Sequence, residues 1–150
     1  MNELSTILLV EDDDGHASLI ERNLKRAGIA DEIHRVRDGQ EAIDYVCRAG
    51  CFVARGPINP RLVLLDINMP RLDGVEVLRQ MKTNEHARTI PVVMLTTTDD
   101  PREIDRCYKL GCNAYIKKPI EYGGFVGVVR SLGTFLQILS TPSQHSMTAT

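Results

Sequence analysis

Charged and hydroxyl side chains gather at the ends of short apolar runs. Thr6-Ile7-Leu8-Leu9-Val10 leads directly into Glu11-Asp12-Asp13, and Leu62-Val63-Leu64-Leu65 into Asp66. Val92-Val93-Met94-Leu95 leads to Thr96-Thr97, and Ala114-Tyr115-Ile116 to Lys117-Lys118-Pro119. If folding brings these ends onto one rim, several carboxylates, a hydroxyl and an ammonium converge. Clustered carboxylates repel one another, and each resists ionisation unless a cation compensates. A hard divalent ion with oxygen ligands meets that need; Mg²⁺ characteristically takes one or two protein carboxylates, waters and a phosphate oxygen. A Lys on the same rim neutralises an incoming phosphoryl oxygen as a point charge, and Thr96 can hydrogen-bond another. Such parts suit phosphoryl transfer to a carboxylate, where the protein's work is positioning and charge neutralisation. Taken singly, an acid at a strand end is more often a helix cap or a solvated turn, and either Asp13 or Asp14 is expected to cap a helix. Capping does not account for the whole set.

The elements that must position these residues can be read from the same sequence. The runs are continuous in Leu, Ile and Val without in–out alternation, which suits strands covered on both faces of a parallel sheet. Another run, Glu32-Ile33-His34-Arg35-Val36, alternates apolar and polar residues and is expected at a sheet edge. Asp38-Gly39-Gln40-Glu41, Asp73-Gly74-Val75-Glu76 and Asp100-Pro101-Arg102-Glu103 each set Asp at an N-cap with Glu three residues on, the last with Pro at the first helical position. Gly28 and Gly111 mark helix ends. The resulting order, βαβαβαβαβα, predicts an α/β fold with a doubly wound, five-stranded parallel sheet and right-handed crossovers. Ligands bind such sheets beyond the carboxyl ends of the strands, where the strand order reverses. The connection over residues 48–60 contains Gly50, Gly56, Pro57 and Pro60. It exceeds the usual few residues and is expected to be a functional loop or an insertion.

The 150 residues carry 18 Lys+Arg against 20 Asp+Glu, a formal charge of −2, with 43% hydrophobic and 25% charged residues. That length suits one domain with its own core, and the composition argues against disorder. Residues 1–140 are expected to form the domain and 141–150, rich in Ser and Thr, a loose tail. No apolar run approaches the ~20 residues of a membrane span. No adequate apolar stretch precedes the acids at 11–14, which argues against a signal peptide. Without a basic arm there is no electrostatic footprint for nucleic acid. A cytoplasmic domain is expected, with neither membrane nor nucleic acid as partner. Cys47, Cys51, Cys107 and Cys112 lack the spacing of zinc or redox motifs and are expected to be free thiols. The histidines are scattered and show no ligand pattern.

Four phrases occur in one order: Val10-Glu11-Asp12-Asp13; Leu64-Leu65-Asp66-Ile67-Asn68-Met69-Pro70 with Asp73-Gly74; Leu95-Thr96-Thr97; and Tyr115-Ile116-Lys117-Lys118-Pro119. In that combination the sequence resembles the receiver domain of two-component response regulators, over residues 5–139. The resemblance implies a flavodoxin-like (βα)5 fold with strand order 2-1-3-4-5. It implies that Asp66 accepts a phosphoryl group from a sensor histidine kinase. Asp12 would ligate Mg²⁺ directly, with Asp66, and Glu11 would assist through water. Asn68 would give its backbone carbonyl to the metal. Lys118, rather than Lys117, matches the phosphate-binding lysine, and with Thr96 it completes the catalytic set. Thr96 and Tyr115 match a switch pair whose hydroxyl and ring move together on phosphorylation. Pro119 would follow a cis bond.

Within the family, the 48–60 loop and the Leu95-Thr96-Thr97-Thr98 phrase resemble the stand-alone, single-domain regulators paired with phytochrome-type histidine kinases. One departure is Glu11, which stands where the family more often has Asp and lengthens the acid by one methylene. Another is the glycine set Gly123, Gly124 and Gly127 where the last helix should begin. With only the tail expected after that helix, the message would leave by docking to an effector or by passing the phosphoryl group onward. Excess apolar residues on the last helix (Val128, Phe135 and Ile138, off the stripe of Phe125, Val129, Leu132, Leu136 and Leu139) point to a homodimer. Two other classes fit less well. A Mg²⁺-dependent phosphatase of the haloacid dehalogenase type also uses an Asp nucleophile after a buried strand, but needs a second Asp where this chain has Asn68. A flavodoxin needs a phosphate loop after the first strand, where Glu11-Asp12-Asp13-Asp14 would repel the phosphate.

Overall fold

The computed structural model describes residues 6–47, 60–69, 72–96 and 100–118, together with Gly127, Arg130, Ser131 and Thr134. The order is β1 (Thr6–Val10), α1 (Asp14–Arg26), β2 (Glu32–Val36), α2 (Gly39–Val46), β3 (Leu62–Leu65), α3 (Gly74–Thr83), β4 (Val92–Thr96), α4 (Pro101–Leu110) and β5 (Ala114–Lys117). The strands form one parallel sheet in the order β2-β1-β3-β4-β5. The expected strand order is therefore present, and the alternating strand β2 lies at an edge. Gly127, Arg130, Ser131 and Thr134 are helical, where the last helix was anticipated. The expectations for Cys51, the cis bond before Pro119, the tail, the homodimer stripe and the 48–60 loop (apart from its buried Pro60) fall outside the described residues.

Sequence signals account for the helix boundaries. Asp13, Asp38, Asp73 and Asp100 are the N-caps, each accepting a backbone N–H from the first turn, at 2.9, 2.9, 3.0 and 3.0 Å. An Asp→Ala change at such a cap costs about 1 kcal/mol. Gly28 (φ 90°) and Gly111 (φ 107°) adopt the left-handed backbone that ends a helix at little cost only for glycine.

Both faces of the sheet are covered. On one, Leu8 and Val10 of β1 and Val63 and Leu65 of β3 pack with α2, α3 and the α4 residue Cys107. On the other, Ile7 and Leu9 pack with Ala17, Ile20 and Leu24, the buried stripe of α1. Successive strand residues thus point into two apolar layers, which is why the runs show no polar alternation. Cys47, Cys107 and Cys112 are free thiols, as their spacing suggested, and burial pushes Cys107 up to about 11, far from the reactive thiolate range.

One close approach fixes the end of β3. Gly74, the first residue of α3, donates its N–H to the Ile67 carbonyl at 2.9 Å. A Cβ built there would stand 2.1 Å from the Asp66 carbonyl oxygen. Gly74→Ala must push α3 away from the Asp66 turn. We expect a loss of about 1–3 kcal/mol in urea unfolding, the range for forced overpacking.

Candidate functional site

The sheet ladder continues past the strand ends and sets the rim. The Glu11 N–H donates to the Val36 carbonyl at 3.1 Å, and the Asp66 N–H to the Val10 carbonyl at 3.1 Å. The Lys118 N–H donates to the Thr96 carbonyl at 2.6 Å. Backbone bonds thus carry the register of β2, β1 and β3, and of β4 and β5, into the polar residues that follow.

The rim forms a cleft lined by Glu11, Asp12, Asp13, His16, Asp66, Asn68 and Lys118. One carboxylate oxygen each from Glu11, Asp12 and Asp66 lie within 4.8 Å of one another. Asp12 is exposed, whereas Glu11 and Asp66 are 1% and 7% exposed. Lys118 comes in from beyond β5, 3% exposed, and donates to Glu11 Oε1 at 2.5 Å and to Asp66 Oδ2 at 3.2 Å. An ammonium buried against two carboxylates offsets part of their repulsion. It does not prevail at Glu11. Burial pushes that carboxyl up to about 7, with Asp66's charge adding, against the lowering pull of Lys118 and of the Asp13 N–H. A divalent cation placed among the three carboxylates would relieve the same strain.

Neighbouring residues hold the turns. The Asn68 N–H donates to Asp66 Oδ1 at 3.3 Å, orienting the second carboxylate oxygen. Asp13 caps α1, and the hydrogen bond from the His16 N–H holds its carboxyl below the usual range. From β2, Arg35 donates to the Glu11 carbonyl at 2.9 Å and to Asp14 Oδ1 at 2.7 Å, tying the β1–α1 turn to the adjacent strand. The hydrogen bond from Arg35, with the charge of Arg37 nearby, keeps the Asp14 carboxyl low.

The sequence therefore anticipates a group that folding does bring together: Glu11, Asp12, Asp66, Asn68 and Lys118. Thr96 sits at the end of β4, fully buried behind the cleft and adjoining it through its backbone bond to Lys118. Tyr115, opposite Met94 on β5, is half-buried, packs on the core and donates its N–H to the Tyr108 hydroxyl at 3.1 Å. Neither side chain lines the cleft. Sequence reasoning missed two contributors. His16 reaches the cleft because the Asp13 cap starts α1 beside it, and Arg35 was visible only as a polar position on an alternating strand.

Residues 7–130 match the family described as the response regulator receiver domain. The chain belongs to that family. It is accordingly a phosphoaccepting signalling protein rather than a catalytic enzyme, and receiver domains work with sensor histidine kinases. Response regulator Rcp1 of Synechocystis sp. is 33% identical over 143 residues, covering 95% of this chain and 96% of Rcp1. The Mn²⁺-bound form of Rcp1 superposes with a TM-score of 0.85, over 91% of this chain and 97% of that one. A receiver domain from Rhodospirillum rubrum is 46% identical, with a TM-score of 0.84, over 91% and 96% of the two chains. The phosphorylated cyanobacterial phytochrome response regulator RcpA is 33% identical, with a TM-score of 0.86, over 93% and 99%. The receiver fold thus explains why the acids, the lysine and the threonine occupy the ends of β1, β3, β4 and β5. Among the described residues, no helix of this receiver is long and apolar enough to cross a membrane.

Proposed function

We propose that this receiver takes a phosphoryl group from the phosphohistidine of a sensor kinase onto Asp66. The observation that carries the reading is the meeting of Asp66 with Glu11, Asp12 and Lys118 in one cleft, drawn from the ends of different strands. An Asp66 carboxylate oxygen attacks phosphorus, a P–O bond forms, and the P–N bond breaks as its electron pair returns to the kinase imidazole, which takes a proton. The Asn68 N–H holds Asp66 Oδ1 in place, and Lys118 stands ready to exchange its Asp66 contact for a phosphoryl oxygen. The donor set is hard oxygen throughout, which fits Mg²⁺ held by Asp12 and Asp66, with Glu11 through water and the Asn68 carbonyl. When bound, the ion supplies neutralisation of charge on the transferring group.

A phytochrome-type kinase is the proposed donor, on the strength of likeness to RcpA and Rcp1. Output is by phosphorylation-dependent docking or by onward phosphotransfer. The test mixes the full chain with a ³²P-labelled sensor histidine kinase. Label should move to this protein within minutes, and a chain that stays unlabelled with every phytochrome-type kinase tried would refute that partner class.

Filling the site offers Thr96 a phosphoryl oxygen, and its hydroxyl's movement would make room for the Tyr115 ring to turn inward. Thr96→Ala is expected to leave the extent of phosphorylation within about twofold of wild type while blunting chemical-shift changes along β5. Full-sized changes in the variant would place the coupling elsewhere.

A further inference from the structure

Lys118 has a third partner. A lysine ammonium carries three N–H donors and no acceptor. Here it meets Glu11 Oε1 at 2.5 Å, Asp66 Oδ2 at 3.2 Å and the Nδ1 atom of His16 at 3.3 Å. Because the ammonium only donates, this contact is a hydrogen bond in the tautomer that presents the Nδ1 lone pair and carries the ring proton on Nε2. The imidazole is held from its own backbone: the Asp13 cap takes the His16 N–H at 2.9 Å, fixing the first turn of α1 against the cleft.

The chemistry of this partner differs from that of the other two. Glu11 and Asp66 bear the negative charges that draw the lysine inward, and both are buried. His16 is half-buried and lines the cleft, and it accepts a hydrogen bond without adding negative charge. A third carboxylate in its place would repel an arriving phosphoryl group. With Nδ1 absent, Asp66 alone opposes the pull of Glu11, and the ammonium would shift toward Glu11.

We propose that His16 is a positioning residue for phosphoryl transfer, its Nδ1 holding the Lys118 ammonium toward the place where a phosphoryl oxygen arrives. The inference rests on Asp66 being the acceptor. It assigns His16 no contact with the phosphoryl group itself.

The test follows the rate at which the full chain gains a phosphoryl group from acetyl phosphate with Mg²⁺, by intact mass. Wild type is compared with His16→Ala, His16→Asn and Asp66→Asn, with thermal unfolding as the check on fold. His16→Ala should react about tenfold more slowly, the effect of losing one hydrogen bond to a charged group. His16→Asn should recover most of the rate, because its Oδ1 accepts from nearly the position of Nδ1. A bulky group needed only for packing would show no such rescue. An Ala variant at the wild-type rate, or an Asn variant as slow as Ala, would overturn the proposal. Wild type that gains nothing, or Asp66→Asn that reacts as fast, would instead bring down the acceptor reading and this inference with it.

Discussion

Replacing Asp66 with Asn is expected to cut phosphorylation by at least about a thousandfold, to the background of the unassisted reaction. The substitution keeps size and shape and removes the charged oxygen that would attack phosphorus. Lys118 and the Asn68 N–H donate to different oxygens of Asp66, and an amide at 66 keeps only one acceptor, so the turn retains one of these two hydrogen bonds. The charge of Asp66 is also one cause of the raised Glu11 carboxyl, so its removal relieves crowding in the cleft. That relief offsets the hydrogen bond lost, and the melting temperature should stay close to that of wild type. A folded Asp66→Asn protein with undiminished phosphorylation by intact mass would exclude Asp66 as the acceptor.

The second large effect is metal dependence. Asp12 is the exposed member of the carboxylate triad, so Asp12→Ala removes a ligand without opening the core and should alter stability by only about 0.5 kcal/mol. Phosphorylation should nevertheless fall by about a hundredfold or more, as it should for wild type in excess chelator. Restoring Mg²⁺ should rescue chelated wild type but not Asp12→Ala at the same concentration. Calorimetric titration should show Mg²⁺ binding weakened in parallel. Phosphorylation at full rate in chelator would refute the ligand set.

What could be read from the sequence was local. Asp13, Asp38, Asp73 and Asp100 bond backbone N–H groups two or three residues away, so a short window contains the whole interaction. The apolar runs likewise report two-sided burial directly. The strand order was not local information, and came only from the resemblance carried by the four phrases. Nor was the pairing within the cleft. Glu11 and Lys118 are 107 positions apart, and nothing near either residue indicates that the lysine takes one acceptor just past β1, one just past β3 and one in α1. Glu11 and Asp12 share the cleft yet differ in burial, which no window around either residue encodes. His16 looked like one of several isolated histidines, because the cap that places it has no feature predicting a partner 102 residues away. Gly74 was legible as a helix start, but its approach to the Asp66 carbonyl depends on how α3 packs, which no helix signal encodes.

The central claim is tested most directly by trapping the phosphorylated residue. An aspartyl phosphate is an acyl phosphate, and borohydride reduces it to homoserine, marking the acceptor permanently. The full chain is phosphorylated with acetyl phosphate and Mg²⁺, reduced, digested and mapped by mass spectrometry. The account predicts homoserine at position 66 and nowhere else, and none when Mg²⁺ is withheld. Homoserine at Asp12 or Asp13 with Asp66 intact, or a phosphate that resists borohydride on another residue type, would contradict it.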